Sequence, residues 1–168
     1  MRLDSLQDVL HEQLTDLYDA EKQLVDALPK VAQASANDSL REAIEEHLEQ
    51  TRGHVERLDE VFELIGWKPG DEQCEAMKGL IAEGEEVLEA QGEPNSKDAA
   101  IIAAAQRVEH YEMAGYGSAR AVADELGLKD AAKKLDDTLA EEKEADELLN
   151  KVATGGILSS GVNAEAVR

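Results

Sequence analysis

At 168 residues the chain is long enough for one domain with a sizeable core, and 3% aromatic content with Ala, Leu, Glu and Lys dominating favours helix over sheet. Acids outnumber bases 38 to 17, a formal net charge of -21, which argues against nucleic acid as a direct partner because phosphate binding needs clustered Lys and Arg. No stretch approaches the roughly 20 apolar residues of a membrane span, so no membrane partner is expected.

The acidity has two readings, a solvated surface or adaptation to high salt, where screening relieves self-repulsion. The start, Met1-Arg2-Leu3-Asp4, has no basic segment leading into an apolar run, so no signal peptide is expected. Cys74 is the single cysteine, which leaves no internal disulfide framework and fits a reducing, cytoplasmic location.

Apolar residues at spacings of three, four and seven predict a first helix over about residues 4–34, from Leu6 and Leu10 through Leu24 to Val31. Glu21 falls on this stripe, four after Leu17 and three before Leu24. Pro29 predicts a kink or an early end. Ser39 and Glu42 read as a capping box opening a second helix that stops at Gly66, with Pro69 beyond. The middle of its stripe is polar: His47, Gln50 and His54.

Residues 67–96 form a long connection holding a short helix, as a bundle needs when two helices run parallel. A third long helix is predicted over 97–126 with Ser96 as cap; its stripe passes from Ile101, Ile102 and Val108 through Glu109 and Glu112 to Met113 and Tyr116. The short link at Gly127 makes the fourth, over 129–153, its antiparallel neighbour, with Leu135 and Leu139 followed by Glu142 and Asp146. Residues 1–153 are thus expected to form an all-α four-helix bundle with a fifth, short helix in the crossover. Residues 154–168 are expected to be a tail, mobile or docked on a partner subunit.

Polar residues interrupt the apolar stripe of every long helix. A buried unpaired carboxylate must be protonated or paired, and here Glu21, Glu109, Glu112, Glu142 and Asp146 converge on one layer. Two divalent ions nearly balance five negative charges. Carboxylate oxygens with imidazole suit iron or manganese, and the lack of thiolates argues against structural zinc.

Simpler readings stand beside this one. Glu109 or Glu112 alone is a rim carboxylate if the stripe is misjudged by one position, and His47 alone is a satisfied core histidine. His110 points about 100° from Glu109 and either supports a ligand or is surface. Tyr18, one turn from Glu21, is placed to hydrogen-bond a ligand or to fill the bundle edge; Tyr111 and Tyr116 read as core or bundle edge. The Glu-x-x-His pair common in carboxylate-bridged bundles is absent. Gln50-x-x-x-His54 and Glu142-x-x-x-Asp146 stand instead, a spacing that still shares one face.

Tyr18-Asp-Ala-Glu-Lys-Gln-Leu24, His47-Leu-Glu-Gln-Thr51 with Val55-Glu-Arg-Leu58, the run Ala99–Gln106 leading into Val108-Glu-His-Tyr-Glu112, and Leu139-Ala-Glu-Glu-Lys143 resemble the YciF/YciE-like family of ferritin-like proteins over about residues 3–153. Glu109-x-x-Glu112 is also similar to the third-helix glutamates of rubrerythrins. The resemblance implies a ferritin-like bundle, a homodimer, stress-associated expression and a di-iron or di-manganese centre. It maps acidic ligand positions onto Glu21, Glu109, Glu112 and Glu142, with Asp146 one turn on. The family usually has Glu at position 50 and often Gln at 54, where this chain has Gln50 and His54. Either His54 or His47 compensates, or one metal binds tightly and the second weakly. The expected function is a non-haem di-metal oxidoreductase acting on hydrogen peroxide or dioxygen. The alternatives are iron or manganese binding without turnover, and a structural stress protein.

Overall fold

A computed structural model describes residues 3–156 and 159–167. Helix α1 spans Leu6–Ala34 and starts at Ser5, whose hydroxyl accepts the Asp8 N–H while the Asp8 carboxylate accepts the Ser5 N–H. The helix passes through Pro29 to Ala34, further than a proline stop would allow. Pro29 is exposed, on the face away from the core.

Helix α2 spans Asp38–Ile65. Its cap is Asn37, which accepts the Leu40 N–H at 3.1 Å, and not the Ser39 box read from sequence. The reason lies far along the chain. Buried Asp98 accepts the N–H groups of Ala36 and Asn37 at 3.0 and 2.7 Å, which fixes the turn one residue ahead of the helix. Gly66 closes α2 in the left-handed conformation at φ 72°, where a side chain would be strained.

Helix α3 (Glu75–Glu89) lies in the crossover and packs on α1 and on α4 (Pro94–Glu125). Buried Cys74 and Met77 anchor it, and Asp19 of α1 accepts the Cys74 N–H at 2.7 Å. Helix α4 begins three residues before the predicted start of 97, because Pro94 occupies its first turn, where the missing N–H costs nothing. Helix α5 spans Lys129–Thr154.

The expected tail folds back on its own chain in part. Gly155 and Gly156 pair antiparallel with Ser160 and Ser159, and the short helix α6 (Val162–Glu165) packs on α4 and α5 through buried Val162. Residues 157, 158 and 168 of that tail lie outside the described residues.

Helices α1 and α2 form one hairpin, α4 and α5 the other; α1 lies beside α4, and α2 beside α5. Leu10 and Leu14 of α1 cluster with Ala119 and Ala123 of α4, whereas Leu24 and Leu28 cluster with Ile101 and Ile102, so α1 and α4 are antiparallel. By the same argument α2 and α5 are antiparallel: Ile44 and Leu48 meet Leu149, and Leu58 and Phe62 meet Leu135. Helices α2 and α4 then run parallel across the diagonal, and the chain between them must cross the length of the bundle. The apolar core is split into two clusters, one toward each end. Between them lies a layer of acids and histidines. Among the described residues no helix is long and apolar enough to cross a membrane.

Candidate metal centre

The four long helices bring the polar interruptions of their stripes to one height. Glu109 and Glu112 are neighbours on α4 because residues three apart share a helix face. His47 and His54 stand two turns apart on α2 and both face inward. Glu21 comes from α1 and Glu142 from α5; with His54 and Glu112 they are 0% exposed, while Glu109 and His47 are 2% and 4% exposed.

Two overlapping groups result. His47, Glu109, Glu112 and Glu142 each offer a donor atom, all within 4.8 Å of one another, and so do Glu21, His54 and Glu142. Glu142 belongs to both. His47 Nε2 is 3.3 Å from Glu109 Oε1 and 3.9 Å from Glu142 Oε2. His54 Nδ1 is 3.0 Å from Glu142 Oε1 and 3.3 Å from Glu21 Oε1. These atoms are close enough for charge attraction but not aligned as hydrogen bonds. His47 Nε2, His54 Nδ1 and both oxygens of Glu142 and of Glu112 are buried without a hydrogen-bond partner. Donors that crowd together without bonding one another are what a shared cation requires.

The electrostatics agree. Burial, reinforced by neighbouring carboxylates, raises the Glu109 and Glu112 carboxyls well above their ordinary 4.5, and burial raises Glu21. Burial acts on Glu142 in the same direction, but contact with His54 and the charges of both histidines outweigh it and hold its carboxyl low. Burial would depress His54, yet Glu142 and Glu21 push it up to about 10, while burial lowers His47. Burial and mutual repulsion thus favour protons on Glu21, Glu109 and Glu112 where no cation offsets their charge. The donor set of imidazole and carboxylate, with no thiolate in either group, could hold a metal ion.

The surroundings orient several donors. His54 Nε2 lies 2.7 Å from Glu141 Oε2, and Arg57 grips Glu141 with both arms at 2.8 and 2.9 Å. That is the carboxylate–histidine arrangement that leaves the other ring nitrogen free to bind metal. The Tyr116 hydroxyl donates to Glu21 Oε1. Sequence reasoning missed Glu141 and Arg57, although Arg57 follows His54 by three and Glu141 adjoins Glu142. From sequence Tyr18 is placed either to hydrogen-bond a ligand or to fill the bundle edge, and Tyr116 reads as core or bundle edge.

In the structure Tyr18 sits edge-on to Phe62 with ring centroids 6.0 Å apart, and Tyr116 reaches the layer. Asp146 is half-buried, accepts from Gln106 Nε2 at 3.0 Å and lies 3.4 Å from exposed His110. Neither Asp146 nor His110 joins either group. The i, i+4 step from Glu142 carries Asp146 out toward Gln106. Gln50 is half-buried and lines a cavity with His47 and Glu109.

Residues 5–166 match the family described as a domain of unknown function, DUF892. The chain is 44% identical to protein YciF of Escherichia coli (strain K12) over 164 residues, 97% of this chain and 99% of the relative. It superposes on the crystal structure of the E. coli stress protein YciF with a TM-score of 0.87 at 46% identity, covering 89% of this chain and 94% of that one. YcfI of Rhodopseudomonas palustris gives a TM-score of 0.86 at 42% identity, covering 91% and 99%. A Xanthomonas campestris protein at 20% identity shares the fold, with a TM-score of 0.72 and coverage of 97% and 94%. The chain belongs to the DUF892 family, the YciF-like ferritin-like bundles.

Proposed function

We propose that the protein holds two iron or manganese ions in the layer between its two apolar clusters and is a non-haem oxidoreductase acting on hydrogen peroxide or dioxygen. The observation that carries this is Glu112: fully buried, with neither oxygen hydrogen-bonded, in a group with His47, Glu109 and Glu142. His47, Glu109 and Glu112 would hold one ion, Glu21 and His54 the other, with Glu142 shared. When bound, such ions supply one-electron redox capacity and Lewis acidity.

The chain supplies the rest. Leu and Ala packing above and below closes the layer toward both ends of the bundle. Glu141, held by Arg57, accepts the His54 Nε2 proton and leaves Nδ1 facing Glu142. Tyr116 fixes Glu21. The homodimer and the stress association implied by the family resemblance, and the cytoplasmic location that the single cysteine fits, form part of the same proposal; the E. coli relative is described as a stress protein.

Anaerobic loading with ferrous or manganous ion, followed by metal analysis and peroxide addition, tests it. The expected result is two ions per chain and peroxide consumption, with dependence on an external reductant separating peroxidase-like from catalase-like turnover. No stoichiometric metal would end it. A second reading, metal binding without turnover, is favoured by Gln50, a neutral amide beside His47 where the family usually places a bridging acid. Two ions without peroxide consumption would select it.

A further inference from the structure

Two separate cavities reach Glu109, from opposite sides. One, about 60 Å³, lies under the crossover helix between α1, α3 and α4. Its walls are largely apolar, among them Leu24, Leu28, Ile101 and Val108, and they include Lys30 of α1, which pairs with Glu85 of α3 at 3.0 Å. The other, about 140 Å³, opens between α2 and α5. Exposed Glu46 and Glu144 flank it, Gln50 lines it, and His47 and Glu109 stand at its inner end. Neither ring nitrogen of buried His47 has a hydrogen-bond partner, nor does Glu109 Oε2.

We infer that the α2–α5 cavity is the entry port for the divalent cation, with Glu46 and Glu144 collecting the ion and His47 receiving it. This deepens the di-metal proposal above and rests on it. A hydrated cation in the largely apolar cavity would meet the Lys30 ammonium and a Glu85 carboxylate already paired with it, and past them would shed water with nothing to replace it until Glu109, a large desolvation cost. In the α2–α5 cavity each lost water has a substitute: carboxylate at the mouth, the Gln50 amide oxygen along the wall, then imidazole and carboxylate at the base. The acidic surface attracts cations everywhere; the port is where that attraction leads inward. Gln50 acquires a role here that needs no bridging: a neutral oxygen donor holds a passing ion more weakly than Glu would.

The test follows the uptake rate of cobaltous ion by its visible absorption in stopped flow, with the final stoichiometry read from the same trace. Glu46→Lys/Glu144→Lys should slow uptake by about tenfold or more at low ionic strength, an effect that shrinks with added salt, while the end-point is unchanged. Glu83→Lys/Glu86→Lys on exposed α3 carries the same change in net charge and should alter the rate far less. Leu148→Trp, a plug in the port, should slow uptake, and Ala104→Trp, a plug on the α3 side, should not. Equal slowing by both charge pairs, or slowing by Ala104→Trp alone, overturns the port while leaving the metal site standing. Absence of bound cobalt in the unmodified protein would instead remove the di-metal proposal and the port with it.

Discussion

Helix α4 buries two carboxylates completely, Asp98 near its start and Glu112 near its middle, both 0% exposed. Asp98 has an internal answer to its burial: each oxygen accepts a backbone N–H from the turn between α1 and α2. Glu112 has none. One acid is part of how the chain folds. The other is a cost that folding alone does not explain, because a buried polar group without a partner destabilises by about 1–3 kcal/mol and more when charged. The same residue class, on one helix and at one level of burial, therefore has two causes, told apart by what each oxygen touches.

The largest expected effect comes from the acid shared by both donor groups. Glu142→Ala should abolish stoichiometric metal after anaerobic loading and desalting, because it removes a donor from each group at once. It should also erase the thermal stabilisation that metal gives the unmodified protein, about 2.7 kcal/mol at a hundredfold excess over the dissociation constant. Asp98→Ala should do the reverse. Losing the two backbone hydrogen bonds to its carboxylate, at about 1.5–3 kcal/mol each, should cost about 3–6 kcal/mol by denaturant unfolding while metal stoichiometry holds. Loss of metal in Asp98→Ala would break the distinction between the two acids.

Glu112→Met sharpens it with a change of sign. In chelator-treated protein, replacing an unpartnered buried carboxyl by an apolar side chain of similar length should raise stability by about 1–2 kcal/mol, while metal loading falls. A destabilised metal-free Glu112→Met would mean that the carboxyl has a structural partner after all.

This distinction also marks what was legible in the sequence. Glu21, Glu109, Glu112 and Glu142 stood out because each interrupts an apolar stripe of spacing three and four, and the stripes gave the four long helices and the crossover. Asp98 left no such trace. It lies early in a helix, where polar residues are ordinary, and its partners, Ala36 and Asn37, are backbone groups about sixty positions away. The cap at Asn37 is hidden for the same reason, since the local Ser39 signal carries no information about Asp98. Tyr116 was hidden by its type: an aromatic on a core stripe reads as packing, and only the structure shows its hydroxyl at Glu21. Asp146 shows the opposite limit. Its periodicity matches that of Glu142, but one further turn brings it to Gln106 instead.

The pH dependence of stability tests the electrostatics of the layer itself. His54 faces Glu141 and Glu142 on α5, Glu21 on α1, Tyr116 on α4 and His47 on its own helix. Burial alone would lower it, but Glu142 and Glu21 raise it from 6.5 to about 10 in the folded protein. A raised folded value means that the native state keeps a proton the unfolded chain releases. The resulting stability is fully present below 6.5 and is lost as pH rises toward 10. Glu109 and Glu112, also raised, add to the loss over whatever part of this range their values reach. Depressed His47 opposes it only below 6.5, and depressed Glu142 only below 4.5. Chelator-treated protein should therefore lose stability between pH 7 and pH 9, with a slope of up to about 1.4 kcal/mol per pH unit for each proton released. His54→Gln should flatten the slope, and bound metal should flatten it in the unmodified protein by taking the place of the proton. Denaturant midpoints at three pH values, with and without metal, decide the matter: a slope that survives His54→Gln in metal-free protein assigns it to the carboxyls, and none in either form refutes the protonated layer.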